Sequence, residues 1–402
     1  MMYTMNKIKL KVENIYKVFG KNQQQAMELV NRGLSKDEIF DKTGMTIGVN
    51  NASFEIKEGE IFVIMGLSGS GKSTLVRLLN RLIEPTSGKI FIDDEDVTNL
   101  NDKELIEIRR KKISMVFQSF ALMPHMNIID NVSFGLELSG ISKEQRYKDA
   151  QKALDQVGLE HHSQSFPDEL SGGMQQRVGL ARALANDPDI MLMDEAFSAL
   201  DPLIRTEMQD ELVELQEKEK RTIVFISHDL DEAIRIGDRI AIMQNGEVCQ
   251  VGTPEEIINE PANDYVRSFF KGVDVTSVLT ASHIVKKIHS TIINKEGTGV
   301  KTALQYIGDY DEDYAYFIEK SGKYLGILTS ESLKEQKQLG GTLHDAIIDE
   351  KPIYEDQQIN DFISDVADHR YPTAVVNSEG KYKGTISKSK LLKVFDEGVD
   401  NG

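Results

Sequence analysis

The chain contains the sequence Gly66-Leu67-Ser68-Gly69-Ser70-Gly71-Lys72-Ser73 between the apolar run Ile61–Met65 and a helix-forming segment. This spacing fits Gly-x-x-x-x-Gly-Lys-Ser/Thr, in which glycines allow backbone N–H groups to turn toward phosphate oxygens. The N-terminus of the following helix adds a favourable dipole. We expect Lys72 to bridge the β- and γ-phosphates of a nucleotide and Ser73 to offer its hydroxyl to Mg²⁺. A glycine-rich turn without a ligand is the alternative, but the flanking strand and helix favour a phosphate-binding loop.

A second signal is an apolar strand that ends in two acids. Ile190–Met193 is followed directly by Asp194 and Glu195. Because desolvating a charge is costly, paired carboxylates at the end of a buried strand indicate a counter-ion, and a magnesium nucleotide supplies one. We expect Asp194 to hold Mg²⁺ through water and Glu195 to position or deprotonate the attacking water. An exposed acidic turn is the alternative.

A further anion-binding helix terminus is predicted at Leu170-Ser171-Gly172-Gly173-Met174-Gln175. Ser171 can cap the following helix, while Gly172 and Gly173 expose its first N–H groups. One phosphate cannot easily occupy two such sites of one chain. The segment therefore indicates that this terminus serves a nucleotide held by another subunit.

The same segment resembles the signature motif of ATP-binding cassette (ABC) ATPases, in which two copies sandwich two ATP molecules. The resemblance covers residues 11–270, with the motifs in family order. It implies that Gln118 is the Q-loop glutamine, that His228 is the switch histidine and that both act with Glu195 in catalysis. It implies Mg²⁺ contacts from Ser73, Gln118 and Asp194. The residues implied to bind ATP are Phe19 (stacked on adenine), Gly66, Leu67, Ser68, Gly69, Ser70, Gly71, Lys72, Ser73, Thr74, Ser171, Gly172, Gly173, Gln175 and Asp201.

Strand and helix patterns alternate between about residues 61 and 245, which predicts a largely parallel sheet covered on both faces. Helices are predicted at Leu170–Ala185 and Pro202–Lys218. The strands are predicted at Ile61–Met65, Lys89–Ile92, Ile113–Phe117, Ile190–Met193, Thr222–Ile226 and Arg239–Met243. The fold class is α/β. The resemblance implies a nucleotide-binding domain at residues 1–275, with a RecA-like core, an antiparallel β-subdomain and a helical subdomain.

An insertion at about residues 21–46 interrupts the first strands. Its sequence predicts two short helices, the second beginning at a capping box formed by Ser35 and Glu38. The insertion resembles that of the glycine betaine/proline-type import ATPases. The segments Gln118–His125 and Ser198–Arg205 resemble the same subfamily.

The tail contains an internal repeat. Ala315–Thr329 aligns with Thr373–Ser387 at a constant offset, and each copy predicts a strand, a Gly-Lys turn, a strand and a helix. The repeat resembles the tandem CBS regulatory domains that these importers append. The resemblance implies an α+β pair, with a degenerate first repeat at 276–340 and a second at 341–402.

The repeats also bear on the ligand of the tail. CBS pairs that bind nucleotides often carry Gly-x-x-Ser/Thr-x-x-Asp, with the aspartate holding a ribose. Ser332 and Lys390 occupy the aspartate positions here, which argues against a simple adenosine nucleotide. The subfamily resemblance suggests cyclic di-AMP. A structural or ionic-strength-sensing tail is the alternative.

Composition excludes several classes. The 402 residues carry a formal net charge of −18 with pI about 5.0, which argues against a general nucleic-acid binder. One cysteine, Cys249, excludes a disulfide framework or a cysteine zinc cluster. No apolar run approaches the roughly 20 residues that span a bilayer, so we expect a soluble, intracellular chain.

The resemblance implies an ATPase subunit that energises import of glycine betaine, with proline as a further substrate. Its partners would be a second copy, transmembrane permease subunits and a substrate-binding protein or domain, at the cytoplasmic face of the membrane. Carnitine, choline or an amino acid is the alternative solute. ABC ATPases of ribosomes or DNA usually carry two cassettes or a long coiled coil, and neither is present. A P-loop kinase would leave Leu170–Gln175 unexplained.

Overall fold

The computed structural model describes residues 7–118, 120–270, 276, 279–286, 291–295, 298–309 and 312–399. The chain divides into two compact units, Met1–Phe270 and Lys271–Gly402. The predicted domain boundary after residue 275 falls outside the described residues. In the described residues no helix has the length and apolar character of a membrane span.

The first unit is built on two sheets. Its strands are β1 (Ile8–Phe19), β2 (Thr46–Lys57), β3 (Ile61–Met65), β4 (Ser87–Ile92), β5 (Glu95–Asp96), β6 (Ile113–Val116), β7 (Ile190–Asp194), β8 (Thr222–Ser227), β9 (Arg239–Gln244) and β10 (Glu247–Gly252). One sheet has the order β10-β9-β3-β8-β7-β6, parallel except for β10. The other, β2-β1-β4-β5, is antiparallel.

Helices cover these sheets and connect their strands. They are α1 (Gln23–Asn31), α2 (Lys36–Thr43), α3 (Lys72–Leu79), α4 (Asp102–Lys111), α5 (Ile128–Leu138), α6 (Lys143–Gln156), α7 (Gly172–Leu184), α8 (Pro202–Glu219), α9 (Leu230–Ile236), α10 (Pro254–Asn259) and α11 (Asp264–Phe269). The strands β3, β7 and β8 are buried along their whole length, as expected for a parallel sheet with both faces covered.

One strand lies in a different sheet from the one predicted. The prediction that Lys89–Ile92 belongs to the parallel sheet is wrong, because β4 pairs antiparallel with β1. Its burial explains the difference: Lys89 is exposed, whereas Ile90 and Ile92 are fully buried. Such alternation is typical of an antiparallel sheet with one solvated face.

The insertion forms the two short helices that the sequence predicts, α1 and α2. The Ser35–Glu38 capping box is confirmed, since Ser35 N donates to Glu38 Oε2 at 2.8 Å and Glu38 N donates to Ser35 Oγ at 3.3 Å. A small core joins the insertion to β1 and β2; it comprises Val18, Ala26, Ile39, Met45 and Ile47.

The second unit repeats one arrangement of elements. Its elements are α12 (Ala281–Ile284), β11 (Thr291–Asn294), α13 (Val300–Asp309), β12 (Tyr314–Glu319), β13 (Tyr324–Thr329), α14 (Ser330–Leu339), β14 (Ile347–Ile348), β15 (Ile353–Tyr354), α15 (Ile359–Asp368), β16 (Thr373–Val376), β17 (Tyr382–Ile386) and α16 (Lys388–Val399). The sheet orders are β11-β12-β13-β14 and β15-β16-β17. The predicted strand, turn, strand and helix of each copy are therefore confirmed.

The two repeats pair through their turns. Tyr324 N donates to Gly380 O at 3.0 Å, and Tyr382 N donates to Gly322 O at 2.9 Å. Beside this reciprocal pair the ring of the fully buried Tyr316 stacks on Tyr382, with centroids 5.2 Å apart. The tail therefore packs as a pseudo-symmetric pair.

Candidate nucleotide-binding and hydrolysis site

The predicted loop and acids meet at one edge of the parallel sheet. In the pairing of β3, β7 and β8, Met65 lies opposite Ser227 and Asp194 lies opposite Ile226, so these strands end together. The phosphate-binding loop follows β3, Glu195 follows β7 and His228 follows β8. Ligands of open α/β folds bind at this carboxyl edge.

The phosphate-binding loop is shaped by its glycines. Gly66 (φ 153°) and Gly71 (φ 105°) adopt backbone conformations that favour glycine, and a Cβ at either would lie 2.4 Å from a backbone carbonyl oxygen. The buried Lys72 turns back onto the loop, with Nζ 2.7 Å from Gly66 O and 3.2 Å from Leu67 O. Burial lowers the pKa of Lys72, while the negative charges of Glu195 and Asp194 act in the opposite direction. Ser70 is also buried.

Ser73 and Asp194 lie together beneath the loop. Ser73 Oγ donates to Asp194 Oδ1 at 2.8 Å, and Arg77 Nη2 lies 3.3 Å from Asp194 Oδ2. A hydroxyl and a carboxylate are hard oxygen ligands that suit Mg²⁺, which otherwise keeps water and phosphate oxygens in its coordination shell. Among the described residues no three His, Cys, Asp or Glu side chains form a metal-holding cluster. The donor set thus fits an ion shared with nucleotide phosphates.

Glu195 stands between the predicted glutamine and histidine. Gln118 Nε2 donates to Glu195 Oε2 at 3.1 Å, and His228 Nδ1 lies 3.9 Å from the same oxygen. Glu195 has φ 49°, a left-handed conformation that costs a non-glycine residue about 1–3 kcal/mol. Ser198 Oγ donates to the Glu195 carbonyl at 2.9 Å and supports this turn. The three side chains that the sequence predicts for catalysis are brought together.

A cleft of about 280 Å³ opens in front of the loop. Phe19, which is 40% exposed, forms part of its wall. A Cβ on Gly48 would lie 2.6 Å from Phe19 Cε2 and 3.3 Å from Thr74 Cγ2. Any other residue at position 48 would therefore clash with the Phe19 ring. The remaining lining residues are Lys36, Thr46, Ile47, Gly48, Ser68, Gly69, Gly71, Lys72, Ser73, Thr74 and Glu195.

The signature segment lies apart from this cleft. Ser171 caps α7, because its Oγ accepts a hydrogen bond from Met174 N at 3.3 Å. Gly172 and Gly173 form the first turn. Gln175 Nε2 donates to Pro167 O at 2.9 Å and to Leu170 O at 3.1 Å, so it fixes the preceding turn. Asp201 caps α8, accepting from Ile204 N at 3.1 Å. None of these residues lines the cleft.

Two charged residues at the site were not among those predicted from the sequence. Arg77 follows Ser73 by four residues, and this helical spacing could have placed it on the same face of α3. Lys36 enters the cleft from α2 in the insertion, which no local pattern indicates. Ser119, within the segment Gln118–His125, lies outside the described residues.

Comparisons with known proteins agree with this geometry. A family model described as ABC transporter matches residues 49–198. The chain is 58% identical over 399 residues to the glycine betaine/proline betaine transport system ATP-binding protein ProV of Escherichia coli (strain K12), covering 98% of this chain and 100% of that protein. It is 50% identical over 386 residues to the glycine betaine transport ATP-binding protein OpuAA of Bacillus subtilis (strain 168), covering 96% and 92%.

A solved structure is also similar. It is a dimeric post-hydrolysis state of the ATP-binding cassette MJ0796 bound to ADP and Pi, with a TM-score of 0.52 and 35% identity. The similarity covers 61% of this chain and 98% of that one.

Proposed function

Because the chain belongs to the ABC ATPases of glycine betaine/proline betaine transport systems, we propose that it hydrolyses ATP to drive import of glycine betaine. The observation that carries this proposal is the identity of 58% along the whole length of such a protein, tail included. Proline betaine is the second substrate named for that relative. The comparisons do not favour the alternative of carnitine, choline or an amino acid as the solute.

We propose a role for each residue of the site. Lys72 and the N–H groups of residues 66–74 bind the phosphates, and Phe19 stacks on the adenine. Ser73 and Asp194 would hold Mg²⁺, assisted by Gln118, and the ion would neutralise charge on the phosphate oxygens. Glu195 accepts a proton from the attacking water, while Gln118 and His228 orient that water and the γ-phosphate. Glu195 lies close to both Gln118 and His228, and these contacts support the proposed roles.

A second copy completes each site in this proposal. Ser171, Gly172, Gly173, Gln175 and Asp201 of one copy contact the ATP bound by the other. Two observations support it: α7 presents its N-terminus outside the cleft of its own chain, and a similar cassette is dimeric with ADP and Pi. ATP then favours the closed pair and ADP releases it.

The tail is proposed to be a regulatory CBS pair, with repeats at 276–340 and 341–402. Its duplicated elements and reciprocal turn pairing support this assignment. Thr329 N donates to Ser332 Oγ at 3.1 Å, so the side chain at the usual ribose-binding position is engaged in capping α14. Cyclic di-AMP or ionic strength is therefore a better candidate signal than a simple adenosine nucleotide.

Membrane partners complete the transporter. We expect permease subunits to hold this chain at the cytoplasmic face and to contact residues 118–134, with a substrate-binding protein or domain supplying the solute. Specificity then lies in those partners, so the solute must be identified in the assembled transporter.

The experiment is uptake into vesicles that contain the reconstituted transporter, with labelled glycine betaine, proline betaine, carnitine, choline and proline as solutes. We expect ATP-dependent uptake of glycine betaine that Glu195→Gln abolishes. The control Glu217→Gln changes an exposed carboxylate of α8 and should leave uptake intact. ATP-dependent uptake of another solute but no betaine would refute the substrate assignment.

The regulatory proposal has its own test in the same vesicles. Removing residues after about 280 should leave basal ATPase activity but change its response to salt or cyclic di-AMP. An unchanged response to both would refute regulation by the tail.

A further inference from the structure

The nucleotide cleft has a cationic residue on the wall formed by the insertion. Lys36 is the first residue of α2 and lines the cleft, as Lys72 does; its Nζ lies 3.5 Å from the carbonyl oxygen of Gly69 in the phosphate-binding loop. We propose that Lys36 is a nucleotide-binding residue, whose ammonium contacts an anionic phosphate of the bound nucleotide. This inference rests on the proposed function as an ATPase.

The backbone of Lys36 is held firmly. Ser35 and Glu38 form the capping box on either side of it, and Ile39 is buried in the core shared with β1 and β2. In that pair of strands Val18 lies opposite Ile47 and Phe19 lies opposite Thr46. The insertion that carries Lys36 is thereby fixed to the strand ends that carry the aromatic wall of the cleft.

The charge of Lys36 is available to an anion. In the part of the chain that the structure describes, no carboxylate pairs with its ammonium, and the recorded acceptor is the Gly69 carbonyl. Asp37, the next residue of the helix, is exposed, and Glu38 is engaged by Ser35. An ammonium on a flexible stem is a suitable phosphate ligand as a point charge. The cleft thus offers cations from two elements, the loop and the insertion.

The residue also differs from Lys72 in its surroundings. Lys72 is buried, with the charges of Glu195 and Asp194 nearby, whereas Lys36 is only partly buried. We therefore expect Lys72 to be indispensable and Lys36 to contribute a smaller, salt-sensitive part of the affinity. It is a binding residue and takes no part in moving protons.

The test is calorimetric titration of the full-length protein with MgADP, which is not hydrolysed. At low salt Lys36→Ala should raise the Kd about fivefold, as for a partly exposed ion pair. The increase in Kd should shrink in about 0.5 M salt, because the Debye length, and with it the range of the charge–charge attraction, is then only a few ångströms. Lys36→Arg should restore most of the affinity, and Lys36→Met keeps the aliphatic stem if the alanine variant folds poorly.

Lys42→Ala is the matched control, because Lys42 is exposed in the last turn of the same helix and lies outside the cleft lining. If Lys36→Ala and Lys42→Ala bind MgADP equally well at low salt, while Lys72→Ala has lost binding, the role of Lys36 is overturned and the ATPase site stands. If Lys72→Ala binds like the wild type, the proposed function fails and this inference fails with it.

Discussion

In the proposed function, hydrolysis depends on Glu195. Replacing it by glutamine keeps its size but removes the carboxylate proposed to accept a proton from water. We expect Glu195→Gln to bind MgATP normally and to hydrolyse it at least about a hundredfold more slowly. Glu217→Gln serves as the control in a phosphate-release assay. Hydrolysis at the wild-type rate would mean that another group is the base.

Titration of Glu232 makes the stability of the fold depend on pH. Glu232 is buried, accepts from Gln209 Nε2 at 3.0 Å and from Ser227 Oγ, and burial raises its pKa above 4.5. The folded state therefore keeps the Glu232 carboxyl protonated to a higher pH than the unfolded state does. The free energy of unfolding falls as pH rises from the unfolded-state pKa to the folded-state pKa.

Glu232→Gln removes this titration. We expect its melting temperature, relative to the wild type, to rise as pH increases from about 4.5 toward neutrality. Glu217→Gln should show no such trend, because that carboxylate is exposed in both states. A relative stability that declines with pH would show that the charged form of Glu232 is favoured by folding.

At the scale of elements, α7 holds the segment that follows β6. Arg182 Nη1 donates to Ala121 O at 2.7 Å and Nη2 donates to Phe120 O at 3.0 Å. Burial lowers the pKa of Arg182. The two carbonyls that Arg182 binds lie just beyond Gln118, which we propose to act in catalysis.

Arg182→Met should leave these carbonyls unpaired at a cost of about 1–3 kcal/mol. Hydrogen exchange should accelerate at the Met123 amide, which donates to Asn131 Oδ1 at 2.7 Å in the same segment. Arg110→Met is a suitable comparison, because Arg110 also donates to a carbonyl, Leu138 O, but at an exposed site. Equal exchange in both variants would argue against this anchoring role.

Features that depend on neighbouring residues could be predicted from the sequence, whereas features that depend on packing could not. Local signals sufficed for the phosphate-binding loop, the Ser35–Glu38 cap and the duplicated tail, because each depends on residues close together in the chain. The sheet of β4 was not predictable from strand and helix alternation, which does not specify pairing partners. Lys36 was missed for a related reason: its approach to Gly69 depends on how the insertion packs on β1 and β2.

The whole molecule combines a cassette with a tail of two paired repeats. Substitution of Tyr316 tests how the two repeats stabilise each other. Tyr316 is fully buried, stacks on Tyr382 and donates to Pro372 O at 2.6 Å. Tyr316→Ala should destabilise the second unit by about 3–5 kcal/mol. Tyr316→Phe, which keeps the ring, should cost about 1–3 kcal/mol through the unpaired carbonyl.

Thermal unfolding, combined with hydrogen exchange, measures the stability of each unit separately in the Tyr316→Ala and Tyr316→Phe variants. Basal ATPase activity should be the same in both variants, because the residues proposed for catalysis belong to the first unit. Full protection of the tail in Tyr316→Ala would contradict the proposal that the repeats stabilise each other there.

In the proposed function two copies share each nucleotide. Light scattering of Glu195→Gln during size-exclusion chromatography measures this pairing. With MgATP we expect twice the 45.2 kDa mass of one chain, and without nucleotide the mass of one chain. Adding Ser171→Arg should abolish the ATP-dependent pair while leaving each cleft intact. A Glu195→Gln protein that stays monomeric with saturating MgATP, or pairs regardless of Ser171→Arg, would contradict the claim.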